Sequence, residues 1–170
     1  MLEIHPNLFV GPMMDYEESE KHEDGWYVNH ACNEPYHRDA VGYEGSGPPR
    51  DHPERLVARR GNHLMLNLID APILVDIPRE IFDAALDFIH EGLSTGSRVM
   101  VHCEMGLSRS PAVVLLYLAS FTDRLPAPTY EAAEALFTRI YPPFNPGRAI
   151  RGFLRKHWSA YARRGRPDTP

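Results

Sequence analysis

Apolar positions change spacing several times along the chain, and each change marks an expected element. Leu8-Phe9-Val10, inside Ile4 to Gly11, predicts a short strand ending at Gly11-Pro12, and Trp26-Tyr27-Val28-Asn29-His30 predicts a second. Between them, residues 13–25 carry Glu17, Glu18, Glu20, Glu23 and Asp24, which suits a solvated helix or loop. A polar stretch then runs to about Arg60 and includes the loop signal Gly45-Ser46-Gly47-Pro48-Pro49. Loops of this length are uncommon inside a compact domain and are often functional. His63 to Ile69 reads as a buried strand closed by Asp70-Ala71-Pro72.

From Pro78 the period becomes helical, because proline suits the first turn and Ile81, Phe82, Ala85, Phe88 and Ile89 share one face. Gly92 to Gly96 should end that helix. Arg98-Val99-Met100-Val101 is a short apolar run leading into Cys103. The run Ser-Pro-Ala-Val-Val-Leu-Leu-Tyr-Leu-Ala from Ser110 is apolar nearly all round, so a helix there should be buried. Thr129 is a plausible N-cap for a helix over Tyr130–Tyr141. Ile150, Phe153, Leu154, His157, Trp158 and Tyr161 stripe a last helix, which makes His157 and Trp158 packing residues. Strands alternating with helices predict a single α/β domain with a mostly parallel central sheet flanked by helices.

Bulk properties narrow the function. The chain's 170 residues suit one domain, and no apolar run approaches the roughly 18 residues of a membrane span. The N-terminus shows no basic segment followed by an apolar stretch, so no secretory signal and no membrane association are expected. Two cysteines, Cys32 and Cys103, make no disulfide framework and point to a reducing, cytoplasmic setting. A formal net charge of −5, with Lys21 and Lys156 as the lysines, offers no concentrated basic face for nucleic acid.

The chemistry is carried by His102-Cys103-Glu104-Met105-Gly106-Leu107-Ser108-Arg109-Ser110, which joins a short strand to a buried helix. In that geometry the loop amides and the positive helix end converge on one point. An anion binds there and a thiol placed there ionises, so Cys103 is the candidate nucleophile. Arg109 can hold two phosphate oxygens with its planar guanidinium, and Gly106 permits the backbone turn of a tight cradle. Ser110 can donate a hydrogen bond to the sulfur, and His102 shapes the loop. A lone cysteine in an apolar strand is ordinarily a packing residue; the whole combination of strand, His-Cys, five residues, Arg-Ser and helix argues otherwise.

That string resembles the signature of the cysteine-based protein phosphatases, specifically the dual-specificity branch. Pro6-Asn7-Leu8-Phe9-Val10-Gly11 is similar to the family's opening strand, and Asn145-Pro146-Gly147 followed by Phe153-Leu154 is similar to a segment near its C-terminal end. The resemblance implies a single phosphatase domain over residues 1–170, with a long irregular insertion at about 34–62 that matches nothing general. It implies a phosphomonoester hydrolase using a phosphocysteine on Cys103. Glu104, Met105, Gly106, Leu107, Ser108 and Arg109 would form the phosphate-binding loop, Ser110 and Asp70 would be catalytic, and His102 supporting. Its substrate would be a phosphorylated protein or small phosphomonoester, phosphate or another oxyanion could occupy the loop, and neither metal nor other cofactor is needed.

Asp70 is the expected general acid: it follows an apolar strand and stands 33 residues before Cys103, similar to the family's placement. Asp76 is its rival, while Asp83 and Asp87 fit an ordinary helix. Alternatives stay open: a phosphatase of inositol phosphates, lipids or RNA 5′ ends, although Glu104, Met105 and Leu107 add no cation to the loop; a sulfurtransferase; or an inactive phosphate-binding module. His30, Cys32 and His37 have no fourth partner at a recognised zinc spacing. The stretch around Cys32 is loosely similar to one carrying a redox partner cysteine in lipid-phosphatase relatives. Tyr36, His37 and Arg38 open the insertion and are candidates to border the site.

Overall fold

A computed structural model describes residues 1–18, 25–45 and 47–162. The acidic positions Glu20, Glu23 and Asp24, and Ser46 of the loop signal, lie outside them. Six strands form one sheet: β1 (Leu2–His5), β2 (Leu8–Pro12), β3 (Trp26–His30), β4 (Val57–Arg60), β5 (His63–Leu66) and β6 (Arg98–Cys103), in the order β1-β2-β6-β3-β5-β4. The four inner strands run parallel, and β1 and β4 pair antiparallel at the two edges. The sheet is therefore mixed around the expected parallel core.

Two elements differ from the sequence pattern. The stretch Ile4 to Gly11 is a hairpin rather than one strand, because Asn7 takes a positive φ of 61° and its N–H is held by Glu3 Oε1 at 2.9 Å. Asparagine is among the few residues that enter the left-handed region readily. The irregular insertion contains a short helix, α2 (Arg38–Val41), and contributes the edge strand β4. That edge is charged and engaged: Arg59 makes paired hydrogen bonds to Glu91, and Arg60 to Glu54. Charge on an edge strand discourages pairing with another chain.

The remaining helices are α1 (Met13–Glu18), α3 (Arg79–Ser94), α4 (Arg109–Phe121), α5 (Tyr130–Ile140) and α6 (Arg148–Tyr161). Side chains alternate across a strand, and here the alternation sorts two cores. Val99, Val101 and Cys103 join the main core beneath α3 and α4, while Met100 packs with Val28, Trp26 and Tyr16 of α1 on the opposite face. Helix α4 is buried along nearly its whole length, as its all-apolar pattern requires. Thr129 caps α5, its hydroxyl accepting from Ala132 N. Among the described residues no helix is long and apolar enough to cross a membrane.

Candidate active site

Parallel register brings the C-terminal ends of β2, β3 and β6 together: Pro12 lies beside Cys103, and His30 beside His102. Open α/β sheets bind ligands at this end of their strands. The chain leaves β6 at Cys103, turns through 104–108, and enters α4 at Arg109. Gly106 makes that turn with φ of +70°, and a Cβ there would sit 2.7 Å from Pro12 N and 2.9 Å from Gly11 C. Both obstacles are backbone, so the position needs glycine for conformation and for space.

The loop is pinned from several elements. Met13 N donates to Glu104 O, the Tyr141 hydroxyl to Gly106 O at 2.9 Å, Asn145 N to Leu107 O at 2.8 Å and Gly147 N to Ser108 Oγ at 2.9 Å. Burial, with the nearby Cys103 adding to it, pushes the Tyr141 phenol up to about 12, so it keeps the proton it donates. The segment Asn145-Pro146-Gly147 thus acts as a strut under the loop.

Cys103 is 2% exposed, and the Ser110 hydroxyl lies 3.2 Å from its sulfur and 3.3 Å from Gly11 O. The Arg109 guanidinium is buried and reaches Leu68 O and Glu104 Oε2 only at 3.4 Å each. These are long contacts, and Arg109 Nε has no partner at all. Most of the donor capacity of the guanidinium therefore remains unspent beside the thiol.

A cleft of about 300 Å³ is lined by Asp70, Cys103, Met105, Leu107, Ser108 and Arg109, together with Asn145 and Gly147. Asp70 follows β5 by a few residues, and its Oδ1 is buried without a hydrogen-bond partner. It packs over Gly147, where a Cβ would lie 3.0 Å from Asp70 Cγ. Asp76 lies elsewhere: its carboxylate is exposed and pairs with Lys156 Nζ at 2.7 Å. Asp83 and Asp87 are residues of α3. Glu104 is exposed at the rim, and Ser110 supports the sulfur from beneath.

His102 turns to the opposite face of the sheet from Cys103. There its Nε2 shares a proton with His30 Nδ1 at 2.6 Å, and His30 Nε2 with His63 Nδ1 at 3.0 Å. Tyr16 stacks on His102 and Tyr36 on His30. Burial, reinforced by the neighbouring imidazoles, holds His30 down to about 2; burial holds His102 down to about 3 against the pull of Glu17. The chain is neutral, with one proton in each bond. Sequence reading missed it, since His30 and His63 are joined only through strand register.

His37 bonds Glu54 O and approaches Tyr43, Tyr36 donates to Glu17, and Arg38 pairs with Glu34. Tyr36, His37 and Arg38 are absent from the lining of the Cys103 cleft. Cys32 is fully buried, which pushes its thiol up to about 12, with Arg109 pulling the other way. Among the described residues no group of three His, Cys, Asp or Glu side chains is arranged to hold a metal ion, so His30, Cys32 and His37 do not form one.

Residues 62–126 match the family described as Dual specificity phosphatase, catalytic domain. Dual specificity protein phosphatase 26 from Bos taurus is 58% identical over 38 residues, 22% of this chain and 18% of that protein. Phosphatidylglycerophosphate phosphatase PTPMT2 from Arabidopsis thaliana is 33% identical over 81 residues, 46% of this chain and 33% of that one. The matches thus span a third or less of these curated relatives. The crystal structure of DUSP15 superposes with a TM-score of 0.61 at 18% identity, covering 95% of this chain and 89% of that one. The human tyrosine phosphatase-like serine/threonine/tyrosine-interacting protein gives 0.57 at 23% identity, covering 94% and 95%. Fold likeness thus extends over the insertion and the C-terminal helices, where the sequence match stops.

Proposed function

We propose that this chain, a cysteine-based phosphatase of the dual-specificity branch in motif and fold, hydrolyses phosphomonoesters through a phosphocysteine on Cys103. The observation that carries the reading is one cleft uniting a thiol, an arginine with unspent donors and a carboxylate with a buried unpartnered oxygen. Each group has a separate task. The Cys103 thiolate attacks phosphorus while Arg109 and the amides of the 104–109 loop hold the equatorial oxygens, a contact that strengthens as charge spreads over them. Asp70 gives its proton to the departing oxygen, so the P–O bond breaks as the S–P bond forms and a neutral alcohol or phenol leaves. Water then attacks the phosphocysteine and gives a proton to the Asp70 carboxylate; the S–P bond breaks, inorganic phosphate leaves, and Ser110 eases departure of the sulfur by donating to it. Splitting one displacement into two lower barriers is the logic of covalent catalysis.

Non-protein phosphomonoesters are the second reading. It is supported by the 81-residue likeness to a protein named for phosphatidylglycerophosphate, which extends beyond the signature loop. An inactive phosphate-binding module fits less well, because nucleophile, arginine and acid are all present.

The test is hydrolysis of an aryl phosphate near pH 6 with chelator present, comparing the wild type with Cys103→Ser. Chelator-resistant turnover that disappears in the variant is expected. Turnover surviving in Cys103→Ser would overturn the cysteine mechanism, and a fully reduced wild type that hydrolyses nothing but binds phosphate would support the binding module.

A further inference from the structure

Beside the catalytic cleft lies a larger one, about 430 Å³. Arg50, Arg55 and Leu56 of the insertion line it, together with the exposed Ile69 and Val75 and the buried Leu68, Ile77 and Ile81. The insertion places five arginines in this region, and three are neutralised: Arg38 by Glu34, Arg59 by Glu91 and Arg60 by Glu54. Arg50 and Arg55 are exposed, and no carboxylate among the described residues pairs with either. The carboxylate that does line the cleft, Asp76, is held by Lys156.

Asn67 also lines the cleft and ties the insertion to the strand end. Its N–H donates to Leu56 O and its Nδ2 to Arg55 O, both at 2.9 Å, which fixes the orientation of the amide. Its Oδ1 is then buried with no donor. The cleft also adjoins the catalytic one: Leu68 lines it, and the Leu68 carbonyl touches Arg109 Nη1.

We propose that this cleft is a second subsite, which receives an acidic residue flanking the phosphorylated residue of a peptide substrate. This rests on the phosphatase reading above and names its substrate class. An extended peptide crossing Ile69 meets the right chemistry in sequence. Its aliphatic atoms cover Ile69 and Val75, the exposed apolar side chains of the lining, and its carboxylate sits between Arg50 and Arg55. A bare anion would leave the exposed apolar surface of Ile69 and Val75 unused. The insertion's role in this is selection rather than chemistry.

Two phosphotyrosyl peptides, one flanked by glutamates and one by glutamines, test the assignment alongside p-nitrophenyl phosphate. Two partly exposed charge contacts should favour the acidic peptide by about tenfold in kcat/KM. In R50A/R55A that ratio should fall to near one, and R50E/R55E should reverse it toward a lysine-flanked peptide. Ratios between substrates are insensitive to a general loss of folded protein. Equal kcat/KM for both peptides in the wild type, or a preference that survives R50A/R55A, would overturn the subsite while leaving turnover of p-nitrophenyl phosphate, and so the phosphatase reading, intact. Should the wild type hydrolyse nothing, fluorescence anisotropy of the same peptides on the Cys103→Ser protein still decides: about tenfold tighter binding of the acidic peptide is expected, and equal affinities would refute it. An inositol bisphosphate that binds in an Arg50- and Arg55-dependent way, while the peptides are not distinguished, would overturn the peptide assignment.

Discussion

Acid should destabilise this protein through its histidine chain before its carboxylates begin to titrate. In the fold, His30 titrates near 2 and His102 near 3, while in the unfolded chain both return to the ordinary 6.5. The unfolded state therefore binds more protons as pH falls, and stability falls with it. The contribution of each imidazole is complete above the unfolded value and is lost progressively down to the folded one. At one proton per group the slope is about 1.4 kcal/mol per pH unit, so each histidine costs about 2 kcal/mol between about pH 7 and about pH 5. The pair costs about 4 kcal/mol, a large part of the 5–15 kcal/mol typical of a domain. His63 and His37, held down mainly by burial, act in the same direction.

Urea denaturation across that pH interval measures the loss directly. His30→Gln keeps a hydrogen-bonding side chain but removes one titrating group, so it should be weaker at neutral pH yet lose about 2 kcal/mol less than the wild type on acidification. Imidazole carbon shifts should report His30 and His102 still neutral at about pH 5. A wild type whose stability is flat over the interval, or a variant with the same slope as the wild type, would refute the reasoning. The consequence for function is a conflict: a general acid works best at mildly acidic pH, where the support of the loop is already weakening.

Asp70→Asn should lower kcat far more for phenyl or alkyl phosphates than for p-nitrophenyl phosphate, whose leaving group needs little protonation, while Asp76→Asn should change neither; steady-state kinetics on both esters checks this. Gly106→Ala should cost about 1–2 kcal/mol for its left-handed backbone alone, plus the clash with Pro12 and Gly11, and should abolish tungstate binding measured by calorimetry before it unfolds the protein. Glu104→Gln removes an exposed carboxylate that competes with the substrate for Arg109, so KM for a phosphate dianion should fall up to about fivefold; an unchanged or higher KM would count against that competition.

How legible the site was depends on whether its parts are neighbours in sequence or only in register. The 102–110 loop could be read at once because strand, turn glycine, arginine and buried helix are contiguous, and each residue type has a local reason to stand where it does. Asp70 was legible as the end of a buried run and was preferred to Asp76 on that placement; what the sequence hid is Lys156, 80 residues beyond Asp76, which engages it, and Gly147, over which Asp70 packs. The hairpin at Asn7 was hidden because one residue with positive φ reverses the chain without altering its apolar content. The histidine chain was hidden more deeply. His30, His63 and His102 sit on three strands, and each taken alone reads as a satisfied core residue or a stray ligand. Pairing His30 with His102 and Val28 with His63 puts all three rings on one face, while alternation sends Cys103 to the other. A single residue of register slip in β3 would take His30 off that face and leave His102 buried without a partner. The alignment that presents Cys103 is thus the same one that sets three neutral imidazoles behind it, and the sensitivity to acid expected of the fold follows from how its candidate site is held.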